Sequence, residues 1–490
     1  MIGFIKKHGG LLAIFIVSFV MFYPSLFGFF TNDDFFFLKI AKVTSLQDFL
    51  NFFNLTKDFG GIGVYRPIPL RFIYFLAVEF FHQSPLFLHI VSFATFFLDI
   101  FLVGVLIKLL TKNNKIGFFS SFLYATSVTH FGQLYYINQY QELCMTLFFL
   151  ASVIFFVKYE LEVKAKRPPI ELIASLLFFV LCVMSKETAV VLPFILVLTH
   201  FYLRLTKRIK VSIRTLILSL APYFVILAAY LFLHFFSFGL VSGDSYIWNL
   251  SPFRAINTLG WYGLWSLNIP EMLIDFVGPG FHINPNLLKY WSKEIIPILG
   301  LFVIQILMIL GLFMKVHKKN WRLMAFSFLW FAFTLVPVLF LPVHKFSFYL
   351  TLPLIGVVLT LGYLLEEAKI SGVGIGLFIT VWTVMSILSL RLTIQTNWIT
   401  QSEVVSSSAY QYFKVNGANL FGKNIYFIDT ENDSELPWSP TEILKVALSD
   451  KNFFDFFYPE LSLKVNYAGL VKTPRVTPAE VIESRQFLGY

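Results

Sequence analysis

The chain has 490 residues, of which 57% are hydrophobic and 13% charged, with 61 phenylalanines. Soluble domains carry roughly 25% charged residues, so the composition excludes a soluble enzyme with an anchor and predicts an all-α polytopic membrane protein. The net charge of +10 does not point to nucleic acid, because the basic residues cluster in short loops, where they set membrane orientation.

Lys6-Lys7 precede an apolar run of about 20 residues with no obvious small-residue cleavage site, which reads as a retained first span. Runs able to cross, or nearly cross, a hydrocarbon core of roughly 30 Å fall at about 10–30, 86–109, 116–130, 143–157, 170–185, 187–203, 215–238, 295–314, 322–341, 346–364 and 371–391. The stretch 67–81 carries Arg71 and Glu79 and starts with Pro67 and Pro69, so it reads as an interfacial or re-entrant helix. Eleven spans with the N-terminus in the cytoplasm place five basic groups inside. They are Lys108, Lys112 and Lys115; Lys158, Lys164, Lys166 and Arg167; Arg204, Lys207, Arg208, Lys210 and Arg214; Lys315, Lys318, Lys319 and Arg322; and Lys369. That arrangement obeys the positive-inside rule. Cys144 and Cys182 lie in apolar runs and suggest neither a disulfide framework nor a metal site.

Three regions then lie outside. They are a first loop of about 31–85, a loop of about 239–294 containing Trp248, Trp261, Trp265 and Trp291, and a C-terminal segment. The transmembrane domain is expected over 1–395 and a small extracytoplasmic α/β domain over 396–490. Within the latter, Asn424–Asp429 reads as a strand and Ser439–Leu448 as a helix with a Ser-Pro start.

Polar residues collect on the external side. Asp33 and Asp34 follow the first span, and Tyr65-Arg66 precede the interfacial helix. His130, Gln133, Tyr135, Tyr136, Asn138, Gln139, Tyr140 and Glu142 fill the third hairpin. Lys186-Glu187 and His344-Lys345 occupy two very short loops. A solvated helix cap explains paired Asp residues equally well on their own. External loops must be polar, but that alone does not require cations in loops of a few residues. Such a set suits transfer from a polyprenyl-phosphate sugar: cations hold the phosphate, and a carboxylate takes the acceptor's proton. Asp99, mid-span, is expected to make a structural hydrogen bond to a neighbouring helix.

Five segments carry a resemblance: Asn32-Asp33-Asp34; Tyr65-Arg66-Pro67-Ile68-Pro69-Leu70 with Leu88-His89; Thr129-His130 with Tyr140-Gln141-Glu142-Leu143; Met184-Ser185-Lys186-Glu187; and His344-Lys345 running to Tyr349 and Pro353. In order and spacing these resemble the GT-C glycosyltransferases, particularly the dolichyl-phosphate-mannose protein mannosyltransferase-like group (glycosyltransferase family 39-like) and its tetratricopeptide-containing relatives. The resemblance covers about residues 10–365. It implies a GT-C fold, a polyprenyl-phosphate-sugar donor used without a cofactor, and inversion at the anomeric carbon. It also implies Asp33 or Asp34 as catalytic base, with Glu142 as a further acidic member. Arg66, Lys186 and Lys345 are implied at the donor phosphate, and Tyr65, His130, Gln139, Glu187 and His344 at the substrate. Glu142 stands where Asp is commoner, and His344-Lys345 replaces a Glu-Arg or Arg. No metal is assigned and a divalent ion stays open; the acceptor, whether protein, lipid or glycan, is also open. The competing expectations are a transporter or flippase of lipid-linked saccharides, which would place polar groups near the midplane and show repeated halves, and a non-catalytic scaffold.

Overall fold

The computed structural model describes residues 2–56, 63–162, 170–210, 213–239, 246–278, 280, 282–317, 319–436, 438–462, 464–470 and 479–489. Of the basic residues expected inside, Lys164, Lys166, Arg167 and Lys318 lie outside the described residues.

Helix α1 (Ile2–Phe22) leads into the first loop, which folds as α2 (Asp33–Ile40), α3 (Leu46–Asn51) and α4 (Ile73–Phe80). A bundle follows: α5 (Pro85–Thr111), α6 (Asn114–Ala125), α7 (Phe131–Tyr135), α8 (Tyr140–Glu162), α9 (Ile170–Val183), α10 (Leu192–Leu205) and α11 (Ile213–Ser237). The second long loop carries α12 (Pro252–Trp265) and a two-residue hairpin, β1 (Val277–Gly278) and β2 (His282–Ile283). Then come α13 (Asn286–Lys315), α14 (Trp321–Leu339), α15 (Leu354–Glu367) and α16 (Gly372–Thr396). The C-terminal segment comprises α17 (Trp398–Leu420), β3 (Asn424–Ile428), α18 (Pro440–Ala447), α19 (Asn452–Phe457), α20 (Pro459–Ser462), β4 (Val465–Gly469) and β5 (Ala479–Glu483).

Among the described residues, eight helices are long and apolar enough to cross a membrane. The chain is therefore a helical, polytopic membrane protein. Three of the expected spans are shorter helices: α6 has 12 residues, and α9 and α15 have 14 each, against about 20 for a full crossing. Two of them are extended by 3₁₀ turns, at Val128–His130 beyond α6 and Ser347–Leu350 before α15. Their apolar residues face protein more than lipid. α15 buries ten of its residues and α6 eight.

That burial depends on small residues. Gly356 of α15 sits where an added Cβ would lie 2.3 Å from the Ser327 carbonyl of α14. A Cβ at Gly362 would lie 2.3 Å from the Ser120 hydroxyl and 3.0 Å from the Ile116 carbonyl of α6, and the Ser120 hydroxyl donates to the Val358 carbonyl at 2.9 Å. Close backbone approach through Gly and Ser is how helices associate without a hydrophobic drive between them.

The 67–81 stretch forms a π-helical turn, Ile68–Phe72, running into α4. Pro67 and Pro69 each lack a backbone donor, which disfavours an ordinary α-helical ladder there. In the C-terminal segment β3 is the central strand of a three-stranded parallel sheet ordered β4-β3-β5, with Ile425 opposite Val465 and Glu480. Both the expected strand and the expected helix form, and Ser439 Oγ caps α18 by accepting from the Glu442 N–H. The core under this sheet is not confined to residues after 396. Phe413, Ile425, Phe427 and Phe454 pack in one cluster with Phe30, Phe35, Phe37, Tyr74 and Leu88.

Candidate functional site

The first loop turns sharply out of α1. Asn32 adopts φ 51°, ψ −125°, a conformation costly for any residue with a Cβ and characteristic of functional sites. Asp33 and Asp34 follow as the first two residues of α2, where the helix dipole favours negative charge. Their side chains part. Asp34 is fully buried. Its Oδ1 accepts from the Tyr74 hydroxyl at 2.6 Å and its Oδ2 from the Thr31 N–H at 3.0 Å. Burial pushes its pKa up to about 7 despite both bonds.

Asp33 keeps an exposed surface although protein surrounds it, as expected for a group on a cavity wall. Asn138 Nδ2 donates to its Oδ2 at 3.4 Å, and its own backbone N–H donates to the Tyr136 hydroxyl at 3.3 Å. Desolvation raises its pKa, while Tyr136 and the Arg66 charge oppose the rise.

Arg66 is the centre of the group. Its Nε donates to Glu187 Oε2 at 2.8 Å, its Nη2 to Glu187 Oε1, and its Nη1 to Gln141 Oε1 at 2.5 Å. This two-pronged pairing outweighs desolvation and drives the guanidinium pKa above its ordinary value. Beside it Lys186 Nζ pairs with Glu142 Oε1 at 2.5 Å, with side-chain exposures of 2% and 3%. Lys186 also lies 4.7 Å from the centre of the Tyr349 ring, a cation–π distance. Two cations and two carboxylates thus form one charge-balanced group, with Lys186 and Glu142 buried and Glu187 partly exposed. Arg66 has five N–H donors and Lys186 three, so neither is saturated by these bonds. A small cavity of about 10 Å³ lies against Glu142, Thr188, Tyr349 and Pro353.

His344 joins this group. Its Nε2 is 2.9 Å from the Tyr349 hydroxyl, and its ring lies against Tyr246 with centroids 4.0 Å apart. Desolvation, with Lys186 and Arg66 nearby, lowers its pKa to about 4, so it is a neutral imidazole. Burial raises the pKa of Tyr246, and the charges of Arg66, Glu187 and Asp33 all act on it.

Four of the expected residues make no hydrogen bond to this network among the described residues. The Tyr65 hydroxyl donates to the Phe53 carbonyl at 2.9 Å, a fastening within the first loop. His130 is buried between Phe96 and Tyr124, with Nε2 2.9 Å from the Tyr124 carbonyl, because α6 ends by packing this ring back on itself. Gln139 is 7% exposed and its Oε1 has no hydrogen-bond partner among the described residues. Lys345 is half-buried, and the charge acting on it is Arg254 of α12 rather than a member of the network. The hydrogen bond expected of Asp99 is absent: neither carboxylate oxygen has a partner among the described residues. No group of three or more His, Cys, Asp or Glu placed to hold a metal occurs among them either.

Sequence reasoning missed Gln141, Tyr246, Tyr349 and Tyr74 as members. Gln141 and Tyr349 lie inside segments already singled out. Nothing near Tyr246 marks it.

No protein-family model and no curated protein matches this chain. Among solved structures, the crystal structure of the Archaeoglobus fulgidus oligosaccharyltransferase in complex with Zn and sulfate is similar at 12% identity and TM-score 0.47, with 94% of this chain and 62% of that one covered. The apo form of the same protein gives 11% identity and TM-score 0.45, over 94% and 64%. This chain thus spans less than two thirds of the length of either.

Proposed function

We propose that this chain is a membrane glycosyltransferase of the GT-C type that moves a sugar from a polyprenyl-phosphate donor to an acceptor hydroxyl at the extracytoplasmic face, with inversion. The observation that carries this reading is one open carboxylate, Asp33, beside a network with unspent donors on Arg66 and Lys186. In the proposed step Asp33 takes the proton of the acceptor hydroxyl, and that oxygen forms a bond to the anomeric carbon. The bond from that carbon to the phosphate oxygen breaks, and the phosphate leaves with the electron pair. Arg66 and Lys186 offset the charge growing on the leaving phosphate, where preorganised donors act most strongly. The raised pKa of Asp33 suits a general base, whose efficiency improves as its pKa approaches the working pH. Asp34, closed off by Tyr74 and Thr31, supports rather than reacts.

The test uses purified protein in nanodiscs with radiolabelled polyprenyl-phosphate mannose and, separately, polyprenyl-phosphate glucose. Membrane extracts of cells lacking the protein serve as acceptor. Transfer of label from lipid to extract with release of polyprenyl phosphate is expected, and Asp33→Asn should lower it by roughly 10²–10⁴-fold. Movement of intact lipid-linked sugar between leaflets without transfer would replace this reading with a flippase.

A further inference from the structure

The 31–34 turn is held from outside the membrane bundle. The Asn32 N–H donates to the carbonyl of Ala447 at 2.8 Å. Ala447 is the last residue of α18, so its carbonyl is one of those a helix leaves unpaired. The same oxygen lies 3.0 Å from the hydroxyl of Ser406 on α17, which is also 3.3 Å from Thr31 Oγ1. Ser406, Thr31 and Asp34 are all fully buried. In the last turn of α2, Lys39 Nζ donates to Asn452 Oδ1 at 2.6 Å and to Asp455 Oδ2 at 2.9 Å. On the inner side Phe35 packs edge-on against Phe453, with ring centroids 5.2 Å apart.

We infer that the C-terminal segment is part of the active-site scaffold: Ser406, the Ala447 carbonyl and Asp455 clamp the strained turn at Asn32 and so position Asp33. A φ of 51° at a non-glycine residue persists only where its surroundings over-determine it, and these contacts supply the determination. Ser406, Lys39 and Asp455 act through the turn and are positioning residues. The inference rests on the reading of Asp33 as the base, and its test separates the two.

Ser406→Ala and Lys39→Ala are made in the full chain and reconstituted in nanodiscs. Amide exchange is followed in the peptide covering Thr31–Phe36 and, as a reference, in β3. Losing the buried Ser406 hydrogen bond should speed exchange in the first peptide by about fivefold, and losing the partly exposed Lys39 pair by about twofold, with β3 unchanged in both. With polyprenyl-phosphate mannose, or glucose if that is the sugar used, kcat should fall while KM stays. Lys39→Arg should restore both exchange and kcat. Unchanged exchange in Thr31–Phe36, equal acceleration in β3, or a loosened turn with normal kcat would each overturn the clamp. A fully active Asp33→Asn would instead overturn the assignment of the base, with the exchange result still deciding whether the clamp exists.

Discussion

Burying the Asp34 carboxyl raises its pKa from 3.8 to about 7 in the folded chain, and the effect on stability has a definite sign. Between those values the folded state holds a proton that the unfolded chain has released, so stability falls as pH rises. The contribution is fully present below about 4 and lost as the pH passes through about 7. A shift of this size corresponds to roughly 4 kcal/mol by linkage. Glu271 and Glu403 are raised by burial as well and tilt the curve the same way. Asp34→Asn keeps an acceptor for Tyr74 but cannot ionise. Thermal unfolding in detergent between pH 5 and pH 8 should therefore show a flatter pH dependence in Asp34→Asn than in the parent, with the gain at pH 8. An unchanged slope would show that Asp34 is not held as the neutral acid. Asp33→Asn should leave the midpoint at pH 8 within a few degrees of the parent, because the Asp33 side chain is open to solvent.

Among the helices, α15 meets α14 through bare backbone at Gly356. Ala at position 356 would place a methyl 2.3 Å from the Ser327 carbonyl and 3.1 Å from the Phe331 N–H, and backbone cannot swing away as a side chain can. Overpacking of this kind costs about 1–3 kcal/mol, so Gly356→Ala should lower the unfolding midpoint measurably. Gly311 in α13 has nothing within 4 Å of an added Cβ. Gly311→Ala should hold or raise the midpoint, since Ala is the better helix former by about 1 kcal/mol. Equal behaviour of the two variants would mean that α14 and α15 are not in contact. The helices themselves were legible in the apolar runs, because a run of some 20 apolar residues has few alternatives to a span. The run near 116 is visibly short for a span, as α6 is; the shortness of α15 was not legible, since its neighbours, not its own composition, set where it ends.

Across the whole molecule, charge was the legible signal. Arg66, Glu142, Lys186 and Glu187 stand out in a chain this apolar because each must be paired or solvated, and the fold pairs them. Lys345 gives the same signal and sits beside Arg254 instead; a single residue in a short loop does not reveal which neighbour it meets. Tyr246 was illegible because tyrosines are common in this chain, and only the folded loop brings this one against His344. The clamp was illegible for a related reason: Thr31 and Ser406 are 375 residues apart, and no local pattern encodes that meeting. Orientation can be tested directly. Cys144 and Cys182 are buried, so an impermeant thiol reagent should find little background in intact cells. A cysteine replacing Asn432 should be labelled from outside, and one replacing Lys315 only after the cells are opened. The opposite pattern would place the site at the cytoplasmic face and remove the extracytoplasmic reading.

The charge balance of the network also bears on what the protein is while idle. Two cations against two carboxylates sum to zero, so the bundle can rest in a low-dielectric setting without a counter-ion from solution. An entering anion finds no surplus positive charge and must exchange its water for the N–H groups that Glu187, Gln141 and Glu142 leave unspent on Arg66 and Lys186. Small free anions gain little from such an exchange. A ligand whose lipid tail adds its own attraction gains more, which turns a self-neutralised site into a filter for molecules that arrive through the membrane.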